Sequence, residues 1–227
     1  MLDDLLKLQD APWQERMNAL IGKVAFSTSL SYEDQVITHL IATGNLPFRI
    51  FTLDTGRLFE ETHSVAQATR DKYPNIDIET FYPDAVAAQE LVKSQGINGF
   101  FESIENRKNC CGVRKVEPLN RALEGVEIWI SGLRRSHSQN RGDLPIAETD
   151  AGKGIIKFYP LIDIDDDTLW AYIREHEIPY NELHDKSFPS IGCAPCTRAV
   201  AAGEDMRAGR WWWEQESLDG DLSLIHI

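Results

Sequence analysis

The sequence predicts an α/β protein, a Rossmann-like, mostly parallel sheet with helices on both faces. Three observations carry that prediction. Short apolar runs of strand length alternate with longer stretches whose apolar residues recur at helical spacing. Polar or glycine-containing clusters follow several of the strands, where open α/β sheets place ligands. The 227 residues suffice for one substantial core and show no internal repeat.

In chain order, residues 3–21 read as an amphipathic helix with Leu5, Leu6, Trp13, Met17, Leu20 and Ile21 apolar, and Pro12 breaks or restarts it. Lys23 to Ser27 is a short buried strand. It runs through Thr28-Ser29-Leu30-Ser31-Tyr32 into a helix from about Glu33 to Thr43, with Val36, Ile37, Leu40 and Ile41 inward. A hydroxyl-rich turn before a helix N-terminus is an anion cradle, because unpaired amides and the helix dipole point at the ligand. Arg49 to Asp54 is the second strand. It ends in Asp54-Thr55-Gly56-Arg57-Leu58, and a helix follows to about Tyr73. Ile76 to Phe81 alternates as a strand. Asp84 caps a helix to about Gln95, with Val86, Leu91 and Val92 inward, and Gly96 to Gly99 turns.

Val126 to Leu133 is a strand delivering Arg134, Arg135, His137 and Arg141. The guanidinium fork of adjacent arginines suits phosphate or sulfate. Gly142 to Gly154 reads as a loop and Ile155 to Pro160 as a strand. Asp165 caps a helix bearing Leu169, Trp170 and Ile173.

The chemistry is concentrated in four cysteines, the only ones present: Cys110-Cys111 and Cys193-Ala194-Pro195-Cys196. Disulfides fit poorly, since bridging adjacent residues strains the backbone and nothing signals secretion. A structural zinc site more often uses two C-x-x-C knuckles, and an adjacent pair suits one tetrahedral ion badly. An iron–sulfur cubane spreads its ligands over four irons, so neighbouring cysteines can each reach a different one. The spacing therefore favours a 4Fe–4S cluster on Cys110, Cys111, Cys193 and Cys196. Arg107, Lys108, Arg114 and Lys115 flank the first pair and suit its anionic charge. If helical, Lys115 shares a face with Cys111.

A net charge of −13 argues against a nucleic-acid binder or an anionic-membrane protein. No apolar run reaches membrane-spanning length and the N-terminus lacks the pattern of a signal peptide, so a cytoplasmic location is expected. Within this acidic chain, Arg107 to Lys115, Ser131 to Arg141 and Arg207 to Arg210 are basic islands that imply one anionic ligand.

Several of these strings resemble one family. Cys-Cys-Gly-Val-Arg-Lys-Val-Glu-Pro-Leu from Cys110 and the Cys193 to Cys196 motif look like the cluster motifs of assimilatory adenylyl-sulfate (APS) reductases, within the wider PAPS reductase family. Phe-Ser-Thr-Ser-Leu-Ser-Tyr-Glu-Asp-Gln-Val from Phe26 resembles its modified phosphate loop, with Ser31 where that family has glycine. Leu-Asp-Thr-Gly-Arg-Leu from Leu53, Gly-Leu-Arg-Arg from Gly132 and Arg-Ala-Gly-Arg-Trp-Trp-Trp-Glu from Arg207 are similar to further motifs.

The resemblance implies an adenine nucleotide α-hydrolase-like fold and thioredoxin-dependent reduction of APS, with PAPS as the alternative substrate, to sulfite and AMP. It implies a substrate site of Ser27, Thr28, Ser29, Leu53, Asp54, Thr55, Gly56, Lys115, Gly132, Arg134, Arg135, Arg141, Arg207 and Arg210. Residues 1–204 would form the α/β domain with the cluster and residues 205–227 a C-terminal arm, atypical after Glu214. The nucleophilic cysteine of that family's C-terminal Glu-Cys-Gly-Leu-His motif is absent from this chain. A non-catalytic sulfonucleotide-binding or redox-sensing module, and an ATP-hydrolysing relative, are the alternatives. Homo-oligomerisation is compatible with all three.

Overall fold

The computed structural model describes residues 1–137 and 144–217. Six strands form one sheet: β1 (Val24–Thr28), β2 (Arg49–Leu53), β3 (Ile78–Phe81), β4 (Ile128–Ile130), β5 (Ala147–Asp150) and β6 (Ile155–Phe158), in the order β3-β2-β1-β4-β6-β5. β1 runs parallel to β2 and to β4, and β4 runs parallel to β6. The sheet is thus the mostly parallel one expected. Its crossover direction reverses at β1, which makes the ends of β1 and β4 the topological switch point.

The helices are α1 (Leu2–Leu6), α2 (Tyr32–Thr43), α3 (Glu60–Lys72), α4 (Ala85–Gln95), α5 (Ile104–Cys111), α6 (Glu117–Ala122) and α7 (Asp166–Glu175). The chain divides into two compact units. The first holds residues 1–52, 64–79 and 125–181; the second holds residues 53–63, 80–124 and those from 182 onward.

The first unit is organised by α2. Val36, Ile37 and Ile41 are fully buried, as their spacing predicts, and pack with Phe26, Ile50, Ile128, Ile130 and Phe158 of the strands and Leu169 and Ile173 of α7. Each such side chain contributes about 1.5–3 kcal/mol on burial. Asp165 caps α7 by accepting from the Thr168 N–H at 2.7 Å.

Several expectations are corrected. The helix over 3–21 is instead α1 followed by short 3₁₀ turns at Lys7–Asp10 and Arg16–Ala19. Pro12 lacks the N–H an uninterrupted helix needs. The loop over 142–154 contains β5, which pairs antiparallel with β6 from Ala147 opposite Phe158 to Asp150 opposite Ile155.

In the second unit, Asp84 caps α4 through the Ala87 N–H at 2.9 Å, but Val86 in the first turn is 67% exposed and the helix buries Leu91. The first cysteine pair closes the last turn of α5, whose start Ser103 caps by accepting from the Asn106 N–H at 3.1 Å. One π-helical turn, Gly112–Val116, joins α5 to α6, and Pro118 sits in the first turn of α6, where its missing N–H costs nothing.

Candidate functional site

In the second unit, all four cysteines carry free thiols and line one cavity together with Arg57, Phe100, Arg107, Arg114 and Lys115. Two elements deliver them. α5 ends in Cys110-Cys111, and a 3₁₀ turn over Ala194–Cys196 brings Cys193 and Cys196 to the same wall. Pro195 fixes φ in that turn. Phe100 and Trp211 pack beside Cys193 and Cys196 as an apolar backing.

Four bases in one wall give the cavity a positive field. Arg57 lies 5.1 Å over the Phe100 ring. Arg114 donates to the Thr55 carbonyl at 2.7 Å. Thr55 is buried, and its hydroxyl lies 3.2 Å from Cys193 Sγ. The second segment is fixed further by the Ala194 N–H donating to the Arg57 carbonyl at 2.8 Å.

Burial raises the pKa of Cys110 and of Cys111, the latter against the pull of Lys115, and pushes Cys196 up to about 12. Left alone, these thiols stay protonated; a bound metal centre would deprotonate them. Among the described residues, no three His, Cys, Asp or Glu side chains stand close enough to hold a single metal ion. Four soft thiol donors around one basic cavity are of the kind an iron–sulfur centre takes, with each thiolate on its own iron. His184 plays no part in the cavity. Its Nδ1 lies 2.9 Å from the Phe188 carbonyl, and burial takes its pKa down to about 4.

The other expected residues of this unit lie on the strand-end turn and the late arm. The Asp54 carboxylate accepts from the Gly56 N–H at 2.8 Å, and Gly56 adopts φ +70°, which its lack of a side chain permits. Leu53 is buried and Lys115 is part-exposed in the cavity wall. Arg207 is part-exposed. Arg210 is buried and donates to Ser190 Oγ at 3.3 Å and to the Ile191 carbonyl at 3.1 Å. Its guanidinium fills the space over Gly192, where a Cβ would come within 2.3 Å of Nη2. Burial lowers its pKa, and the charges of Cys193, Cys196 and Cys111 oppose that.

In the first unit, the hydroxyl-rich turn holds itself together. Ser27 Oγ accepts from the Trp129 indole at 2.8 Å, and Thr28 Oγ1 accepts from the Leu30 N–H at 3.0 Å. Ser29 donates to Asp34 from both its N–H, at 2.7 Å, and its hydroxyl, at 2.6 Å. The left-handed residue is Leu30, at φ +62°, and not Ser31, which caps α2 from an extended backbone.

Gly132 packs against Asp34, leaving no room for a Cβ. Arg134 is fully buried and donates to Tyr32 Oη, to Asp166 Oδ1 at 2.5 Å and to the Ile164 carbonyl at 3.0 Å. Its fork therefore braces the start of α2 and of α7. Arg135 is part-exposed, with Nε on the Leu144 carbonyl at 2.9 Å. Arg141 lies outside the described residues. Glu33 and Asp34 were not singled out by sequence; the signal available was two adjacent acids in the first turn after a Ser-rich loop.

Known proteins resemble this chain throughout. Residues 23–199 match the phosphoadenosine phosphosulfate reductase domain. An adenosine 5'-phosphosulfate reductase of Sinorhizobium fredii (strain USDA 257) is 49% identical over 216 residues, covering 95% of this chain and 86% of its own. One of Neisseria meningitidis serogroup B is 48% identical over 204 residues, 88% and 83% of the two chains. The crystal structure of a phosphoadenylyl-sulfate reductase from Candida auris superimposes with a TM-score of 0.74 at 29% identity, over 88% of this chain and 96% of that one.

Proposed function

The chain belongs to the phosphoadenosine phosphosulfate reductase family and is an enzyme of the sulfonucleotide reductase kind, and from that premise we propose that its substrate is adenosine 5'-phosphosulfate, reduced to sulfite and AMP with thioredoxin as the electron source. The observation that carries this reading is the cavity lined by all four cysteines and four bases. Cys110, Cys111, Cys193 and Cys196 would hold a 4Fe–4S cluster. When bound, the cluster supplies four iron–thiolate bonds that tie two distant segments together.

The chain's own residues then bind and orient the nucleotide. Leu53, Asp54, Thr55 and Gly56 form a strand-end turn suited to the adenosine, as ligand crevices of open α/β sheets are. In the second unit Lys115, Arg207 and Arg210 carry positive charge suited to the phosphosulfate. Ser27, Thr28, Ser29 and Gly132 shape the loop, and Arg134 braces it.

The reaction needs a thiolate that attacks the sulfur. The sulfur–oxygen bond to phosphate breaks, AMP leaves with the electron pair, and an S-sulfocysteine remains. A thioredoxin thiolate then attacks the cysteine sulfur of that adduct, sulfite departs, and the second thioredoxin thiol resolves the mixed disulfide. The four cysteines of these 227 residues are committed to the cavity, so the attacking thiol is not among them. On this reading, residues 1–227 by themselves are expected to bind the substrate and to need a thiol from outside them for turnover.

The test is anaerobic purification with iron and sulfide analysis, an APS titration by calorimetry, and a sulfite assay with thioredoxin before and after adding a C-terminal Glu-Cys-Gly-Leu-His segment. Bound iron, APS binding and sulfite only from the extended chain are expected. Absence of both iron and APS binding would overturn the reading. Iron and APS binding with no sulfite from the extended chain would favour a binding module. A cytoplasmic setting accords with the reduced thiols such a site needs.

A further inference from the structure

Glu214 and Arg107 form the most deeply buried ion pair of the second unit among the described residues, with side-chain exposures of 2% and 5%. Both contacts are 2.8 Å, from Arg107 Nε to Oε1 and from Nη2 to Oε2, the fork-to-fork geometry of a bidentate pair. The Trp211 ring lies 4.4 Å under the same guanidinium. Arg107 is on α5, one turn before Cys110 and Cys111, and lines their cavity.

The other end of the connection is also fixed. The Trp211 N–H donates to the Cys196 carbonyl at 3.2 Å, and the Glu214 N–H donates to the Trp211 carbonyl at 2.8 Å. A continuous chain of contacts therefore runs from Cys196 through Trp211 and Glu214 to Arg107, and along α5 to Cys110 and Cys111. It links the second cysteine pair, at Cys196, to the first.

We propose that Glu214 is a positioning residue of the cysteine site: it clamps Arg107, and through it locks the 211–214 segment against α5, so that access to the cavity from that side is restricted. A buried ion pair gives little net stability over apolar residues of the same size. What it adds is orientation, and here it orients the segment that joins the two cysteine pairs through Trp211. The step is independent of the redox chemistry, although its consequence for a cluster rests on the reading above.

The experiment uses the full chain, purified anaerobically. Access to the cavity is read as iron release to a chelator and, in any iron-free fraction, as maleimide labelling of the four cysteines by mass spectrometry, both over a series of low urea concentrations. Glu214→Gln keeps the shape and removes the charge. It should raise release or labelling about tenfold or more, the expected cost of losing a charge-assisted hydrogen bond. The increase should be independent of urea, as local opening is. Glu214→Asp, which keeps the charge but shortens the reach, should give a smaller urea-independent rise and serves if the first variant fails to fold. Rates equal to the parent, or a rise that tracks urea as global unfolding does, would overturn the proposal. An iron-free parent would instead sink the cluster assignment, and the labelling rates would still decide the clamp.

Discussion

The Asp34 carboxylate takes both donors of Ser29, the N–H at 2.7 Å and the hydroxyl at 2.6 Å. The loop between β1 and α2 is thus held by an internal anion. Asp34→Ala removes the acceptor of both donors of the exposed Ser29, which water replaces only in part, at about 0.5–1.5 kcal/mol for each hydrogen bond. Urea unfolding should show the loss at unchanged m-value. Asp34→Asn keeps an oxygen acceptor and should cost less; equal losses for the two would refute this account of the loop.

Gly132 is needed for space. An added Cβ would stand 2.1 Å from Asp34 Oδ1 and 3.0 Å from Glu33 Cγ. Gly132→Ala should destabilise by about 1–3 kcal/mol, the usual range for overpacking. For a chain of this size that lowers Tm by roughly 2–4 °C per kcal/mol. An unchanged melting temperature would mean that the loop yields freely.

Glu33 gives the stability a pH dependence. Burial, and then the Asp34 charge, push its pKa up to about 7, against the pull of Arg134. A carboxyl whose folded pKa lies above the unfolded one binds more protons in the folded state between the two values. Stability therefore falls as pH rises from about 4.5 to about 7 and stays lower above that, by something on the order of 3 kcal/mol for this group. Asp34, raised by its own burial, acts in the same direction. Glu33→Gln should flatten the slope of unfolding free energy in that window and raise stability at pH 8. A slope identical to the parent would show that Glu33 is already charged in the folded protein.

Thr55→Val tests the hydroxyl at 3.2 Å from Cys193 Sγ. The swap preserves shape but also removes an acceptor from the Arg57 N–H at 3.3 Å. The expected cost is about 1 kcal/mol. In iron-loaded protein, the visible absorption should shift at unchanged iron content, because hydrogen bonds to the ligating sulfurs tune such centres. Identical spectra would place the hydroxyl's interaction with Arg57 alone.

The legible parts were those written in local pattern. α2 follows from Val36, Ile37, Leu40 and Ile41 at helical spacing, and β1 from the apolar run Val24-Ala25-Phe26. The four cysteines were legible because so few were placed so tightly. β5 was missed because Ala147 to Asp150 is short and half acidic, which an antiparallel edge strand tolerates and a propensity reading does not reward. Arg134 and Arg135 look equivalent in sequence, yet only the fold separates a buried brace from a part-exposed base. The Arg107–Glu214 pair joins residues more than a hundred positions apart, so nothing local announces it. Nothing in the residue types announces the left-handed backbone at Leu30, which goes with the hydrogen bond from its N–H to Thr28.

The two cysteine pairs are separated along the chain by α6, β4, β5, β6 and α7. During synthesis, α5 leaves the ribosome with Cys110 and Cys111 while Cys193 and Cys196 are still untranslated. Half a set of thiols is then open to oxidation or to adventitious metals until a large part of the sheet has been made. A centre held by all four thiols, as proposed above, can be completed only after Cys196 has been made, so yields of the loaded protein from heterologous expression should depend on reducing power and on cluster-assembly factors during that interval.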